Sequence, residues 1–237
     1  MRTIGLLGGM SWESTELYYR LVNESVRDRL GGLHSARCLL LSVDFAPIEE
    51  LQVAGAWEEA GELLAADALA LQRGGADLVV LCTNTMHRVA GQLTAVLDVP
   101  LLHIGDVTAA AVHAAGLTRV GLLGTAFTME QPFLRDHLEA TGLEVLVPGP
   151  ADRAEVHRVV YEELCRGIVA PASRAAYREV MARLVAAGAQ GIVLACTEIE
   201  LLVGPDDAPV PVFPTTRLHA EAAVTEALRG EPTTIDG

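Results

Sequence analysis

The chain has 237 residues, 51% of them hydrophobic but only 4% aromatic, so it can bury two modest cores of Ala, Leu and Val, a composition suited to helices packed on sheets. A formal net charge of −14 repels phosphate backbones and argues against nucleic acid as a partner. No apolar run reaches the roughly 20 residues that span a bilayer, which argues against a membrane partner.

Thr3–Leu7 reads as a buried strand ending in Gly8-Gly9. Ser11, followed by Glu13 and Glu16, starts a helix to about Arg29, because a serine cap and early acids complement the N-terminal dipole. A single Arg before that strand does not make a signal peptide. Gly5, Gly8 and Gly9 do not form GxGxxG, so they predict a tight turn rather than a dinucleotide site. Ala36–Phe45 is a second buried strand containing Cys38, Pro47–Val53 a short helix and Trp57–Arg73 a longer one. Gly74-Gly75 leads into the strand Asp77–Leu81, and Thr85–Leu97 is helical, with a short strand at Leu101–Ile104 after Pro100.

The order then repeats. Asp106–Ala115 is helical, Arg119–Gly124 a strand, Met129–Thr141 a helix and Glu144–Val147 a strand. Helices near Asp152–Arg166 and Ser173–Ala187 precede the strand Gly191–Ala195. A loop with Pro205, Pro209, Pro211 and Pro214 leads to a final helix, Thr215–Leu228, and the last seven residues are expected to fray. Near-continuous Val/Leu/Ile strands alternating with helices predict parallel sheets covered on both faces.

The repetition extends to motifs. ADLVVLCTNTMH at Ala76–His87 matches AQGIVLACTEIE at Ala189–Glu200, and IGLLGG at Ile4–Gly9 matches VGLLGT at Val120–Thr125, both at an offset of about 115 residues. The chain therefore reads as two similar α/β halves with a break near Val99–Asp106. The final helix is expected to return to the first, giving domains of 1–100 plus 210–237 and of 101–209.

Cys38, Cys82, Cys165 and Cys196 show no metal-ligand spacing, so no metal is expected and they read as free thiols of a cytoplasmic protein. All 17 basic residues are arginine, so no lysine can hold pyridoxal phosphate as a Schiff base, and no cofactor is expected. Cys82 and Cys196 fall at strand carboxyl ends, where open parallel sheets bind ligands. A helix N-terminus after each is expected to lower the thiol pKa and to hold a carboxylate. Two thiols on opposite sides of a shared cleft suit inversion of a carbon by proton removal and re-addition. Cys38 and Cys165 are expected to be inert core, and Trp12 and Trp57 to be packing residues. His87 follows the first cysteine motif, as a residue that tunes its thiol or equally as a helix-surface histidine, and His103 and His219 are candidates for lining the region between the halves.

GLLGGMSWEST, LCTNTMH and ACTEIELL, with GLLGTAFTMEQPF, resemble the aspartate/glutamate racemase family of cofactor-independent amino-acid racemases. The resemblance runs over essentially the whole chain. It implies two pseudo-symmetric three-layer α/β/α domains with parallel sheets, an active site between them, a small amino acid as substrate and a homodimer. By position it makes Cys82 and Cys196 the two acid/base residues. Thr83, Asn84, Thr85, Thr197 and Glu198 are the implied substrate contacts, Glu198 toward the ammonium group, with Met10 and Gln52 lining the pocket. Some aspartate-specific relatives use a lysine that this chain lacks; Arg166 is the one candidate to replace it, though its setting reads as surface charge. Other reactions of the superfamily remain alternatives: hydantoin racemisation, cis–trans isomerisation of maleate and decarboxylation. A non-catalytic binding or redox protein is a further one.

Overall fold

The structure is a computed structural model and describes residues 1–229; the fraying expected of the last seven residues lies outside that range. The described residues divide into two compact units, residues 1–103 with 219–229 and residues 104–218.

The first unit is built on a parallel sheet of β1 (Ile4–Gly8), β2 (Cys38–Ser42), β3 (Leu78–Leu81) and β4 (Leu101–Leu102), in the order β2-β1-β3-β4. Its helices are α1 (Trp12–Leu30), α2 (Phe45–Ala54), α3 (Trp57–Arg73) and α4 (Ala90–Val96), with a 3₁₀ turn over Thr85–Val89. The Ser11 side chain accepts from the Ser14 N–H and so starts α1, and Gly31, at φ 74°, stops it in a conformation that L side chains avoid. Alternation along β3 divides the core. Leu78 and Val80 face a cluster with α1 residues Leu17, Tyr18 and Leu21, and with Ala220, Ala223 and Val224 from the end of the chain. Val79 and Leu81 face Ala60, Leu64 and Ala68 of α3. Both faces are thus covered, as the sequence predicts.

The second unit repeats this plan. β5 (Arg119–Gly124), β6 (Glu144–Leu146), β7 (Gly191–Ala195) and β8 (Val212–Pro214) form a parallel sheet in the order β6-β5-β7-β8. Around it lie α5 (Ile104–Ala114), α6 (Ala126–Glu130), α7 (Pro132–Glu139), α8 (Pro150–Glu162), α9 (Pro171–Ala186) and α10 (Ile199–Leu202). The last helix, α11 (Thr215–Ala227), begins in the second unit and belongs to the first from His219 onward.

Several local expectations need correction. The helix expected over Met129–Thr141 is two helices, α6 and α7, parted at Gln131 because Pro132 opens the second at its first turn. The strand with Cys38 is a half-buried edge strand rather than a buried one. Cys165 is exposed, not core. Trp12 is 67% exposed, so it does not pack as expected, whereas Trp57 lies under the Arg88 guanidinium, 4.6 Å from its ring centre. The proline-rich loop contains β8, which pairs with β7 at Phe213 and so stays with the second sheet.

Candidate active site

β1 and β3 are the central strands of the first sheet, β5 and β7 those of the second. Cys82 directly follows β3, and Cys196 directly follows β7. The Cys82 N–H donates to the Leu7 carbonyl at 2.9 Å, which extends the ladder by one residue and holds the cysteine at the strand's carboxyl end. Its Sγ–H is directed at the Val80 carbonyl 3.6 Å away, and the side chain continues the alternation into the cluster with Tyr18. Cys196 continues the same alternation from Ile192 and Leu194 into a cluster with Tyr177.

Neither thiol is acidified, contrary to the sequence expectation. Burial pushes the Cys82 thiol far up. Burial also raises Cys196, and the Glu198 carboxylate, which accepts the Cys196 S–H at 3.0 Å, raises it further. The lowering influence expected from an N–H at the start of the following turn is present, from Glu198, and is outweighed. A desolvated thiolate costs more than one backbone N–H returns. The helical segments after the cysteines are also short, a five-residue 3₁₀ turn in one unit and the four-residue α10 in the other.

The remaining candidate residues fall into three groups. Thr83 and Asn84 are buried beside Cys82, and Thr85 is half-buried at the start of the 3₁₀ turn. Met10 and Gln52 are buried on the other face of the first sheet: Met10 packs with Ile48 and Met86, and the Gln52 amide donates to the Met86 sulfur at 3.0 Å. In the second unit Thr197 and Glu198 are buried beside Cys196, and Thr197 Oγ1 shares a hydrogen bond with Thr216 Oγ1 at 2.9 Å. Arg166 is exposed.

Two networks follow these turns in the chain; the sequence singles out His87, His103 and His219 of the first without their hydrogen bonds, and nothing of the second. Behind Cys82, His87 Nδ1 lies 2.7 Å from the Thr83 carbonyl oxygen. His219 bridges the Leu102 carbonyl and the Tyr18 hydroxyl, both at 2.9 Å. Burial, with two neighbouring imidazoles, holds His87 well below the usual histidine range, and burial lowers His219 from 6.5 to about 4. After α10 in the chain, Asp207 accepts two bonds from Arg174, at 2.8 and 2.9 Å, one from Arg178 at 2.5 Å and one from the Gly204 N–H at 2.9 Å. Only the spacing of His87 four residues after Thr83, one turn of chain, signals the first network in the sequence.

Two parallel α/β units with one strand order, each delivering a Cys-Thr pair from its second central strand, define a duplicated α/β protein with a buried thiol at equivalent positions. The chain belongs to the Asp/Glu/hydantoin racemase family, whose model matches residues 7–223. It is similar to a Yersinia pestis protein described as a candidate Asp/Glu racemase, with 53% identity, 96% of this chain and 100% of that one covered, and a TM-score of 0.92. An aspartate racemase homologue from Pyrococcus horikoshii OT3 is 31% identical over 96% of this chain and 99% of that one, with a TM-score of 0.86. Arylmalonate decarboxylase, 16% identical over 99% of this chain and 97% of that one, with a TM-score of 0.59, shares the fold alone.

Proposed function

We propose that the protein is a cofactor-independent amino-acid racemase in which Cys82 and Cys196 are the two acid/base groups. The observation that carries the reading is the duplicated Cys-Thr pair directly after β3 and β7 in a chain of this family. The reading requires the two thiols to reach opposite faces of one substrate carbon.

Glu198 then has a role closer to its geometry than the ammonium contact expected from sequence, since it already accepts the Cys196 S–H. It takes that proton, and the Cys196 thiolate removes the hydrogen on the substrate Cα. The electron pair moves into the substrate carboxylate, whose developing charge is held by donors from Thr83–Thr85 and Thr197. Cys82, a thiol because burial raises its pKa, gives its proton to the opposite face and is left as thiolate. A proton passing from Glu198 to Cys82 through solvent restores the starting state. A raised thiol pKa suits this chemistry, because the weaker acid gives the stronger base toward a weakly acidic C–H.

The proposal includes a substrate small enough for both thiols to flank its Cα, activity without pyridoxal phosphate or metal, a homodimer and a cytoplasmic location. Four cysteines outside any disulfide support a reducing compartment, and no helix among the described residues is long and apolar enough to cross a membrane. The test is incubation with L- and D-aspartate, glutamate and neutral amino acids in D2O, with and without EDTA. The expected result is deuterium at Cα together with loss of optical activity, unchanged by the chelator. Absence of Cα exchange for every amino acid tested would overturn the racemase reading.

A further inference from the structure

The histidines of the first unit form an ordered set behind Cys82. The Thr83 and Leu102 carbonyls both face the His87 ring and can only accept; the short 2.7 Å contact from Nδ1 to Thr83 assigns the proton to Nδ1. The Leu102 carbonyl likewise requires the proton of His219 on Nε2, which leaves His219 Nδ1 to accept from the Tyr18 hydroxyl. Tyr18 and His219 are fully buried and His87 is 4% exposed. The His87 ring is wedged edge-to-face between His103, at 4.7 Å between ring centres, and His219, at 5.6 Å. Neither rotation nor a tautomer change is open to it without breaking a buried hydrogen bond.

We propose that His87 is a positioning residue for the Cys82 turn: its Nδ1–H, donated to the Thr83 carbonyl, fixes the plane of the Thr83–Asn84 peptide and so the direction of the donors beside the thiol. The peptide is planar and trans, so a carbonyl pinned toward His87 turns the Asn84 N–H to the opposite side. The His87 N–H also donates to the Asn84 carbonyl at 3.1 Å, so one residue holds both ends of the turn. His219 and Tyr18 act one step further back, as the wall that keeps the His87 ring in its rotamer. The catalytic consequence rests on the racemase reading; the assignment of tautomer and peptide orientation does not.

The test separates the two. In the wild-type protein, long-range ¹H–¹⁵N spectra of the imidazoles should show His87 protonated at Nδ1 and His219 at Nε2. His87→Asn places an amide N–H near the position of Nδ1, whereas His87→Gln places it near Nε2. The Asn84 backbone amide resonance should therefore stay near its wild-type position in His87→Asn and move in His87→Gln. In Cα-proton exchange, His87→Asn should stay within about threefold of wild type, and His87→Gln should lose about 10–100-fold in kcat with little change in KM, as expected for misplaced transition-state donors. An Nε2-protonated His87 in the wild type overturns the inference even if neither variant folds, as does an Asn84 resonance unmoved in His87→Gln. Equal kcat for the Asn and Gln variants overturns its catalytic part. Correct tautomers and amide shifts in a wild-type protein that exchanges no amino acid would sink the racemase reading and leave the orientation of the turn established.

Discussion

Cys82 and Cys196 differ in one decisive contact. Cys82 faces its own strand's Val80 carbonyl, whereas Cys196 donates to Glu198. Serine at either position should cut racemisation by about 10²–10⁴-fold, the usual worth of a positioned acid or base. Each variant keeps one thiol, so the enantiomer whose Cα–H still exchanges with D2O should switch between Cys82→Ser and Cys196→Ser. Cys38→Ser, on the half-buried edge strand, should behave as wild type, and a loss equal to the others would sink the two-thiol mechanism. Two other buried groups give stability opposite pH dependences. His219 titrates at about 4 when folded and near 6.5 otherwise, so the unfolded chain gains protons first and its contribution is lost as pH falls from about 6.5 to 4. Burial raises Glu200 from 4.5 to about 7, and its Oε1 has no hydrogen-bond partner among the described residues. Here the folded chain keeps the proton longer, so stability is lost as pH rises from about 4.5 to 7. Glu200→Gln should therefore raise the melting temperature at pH 8 by up to roughly 10 °C and leave it nearly unchanged at pH 4, which scanning calorimetry can check. The cysteines and their Thr neighbours were visible in the sequence as a repeated motif. The direction of their pKa shifts was not, because it depends on which face of the sheet buries each thiol.

The strands best read from sequence are those bounded by glycine or by a sharp change of polarity. Arg119–Gly124 and Gly191–Ala195 have the ends expected of them, as does the helix Trp57–Arg73. β8 was hidden because three prolines surround it, yet an edge strand tolerates proline where no ladder N–H is needed, and Pro214 ends this one. The segment from α10 to β8 is anchored by Asp207, whose side chain is fully buried against partly exposed Arg174 and Arg178. These cations and the Gly204 N–H hold its carboxyl well below the usual carboxylate range. Asp207→Ala should cost about 2–3 kcal/mol in denaturant unfolding, since it strands hydrogen bonds made to a charged group. The same variant should loosen the Cys196 turn and increase the alkylation rate of that thiol relative to Cys82. An unchanged alkylation ratio would show that Asp207 stabilises the loop without governing the cysteine.

At the scale of the molecule, the repeated strand order was legible from two motif echoes at one offset, and the reuse of the plan follows from it. The route of the last helix follows from burial that no motif records. Ala220, Ala223, Val224 and Ala227 complete the core on one face of the first sheet, beside Ile4, Leu6 and Leu78. A chain cut after Leu218 should therefore leave the first unit poorly protected in hydrogen exchange while the second keeps most of its protection. If both units lose protection alike, their stabilities are not separable. The intact chain carries the same asymmetry in time. Every element of the second sheet has been synthesised before His219, but the face of the first sheet that α1 covers waits for the rest of its cover until α11 leaves the ribosome. The half made first is therefore expected to be the half finished last, the reverse of the usual N-to-C order of domain folding.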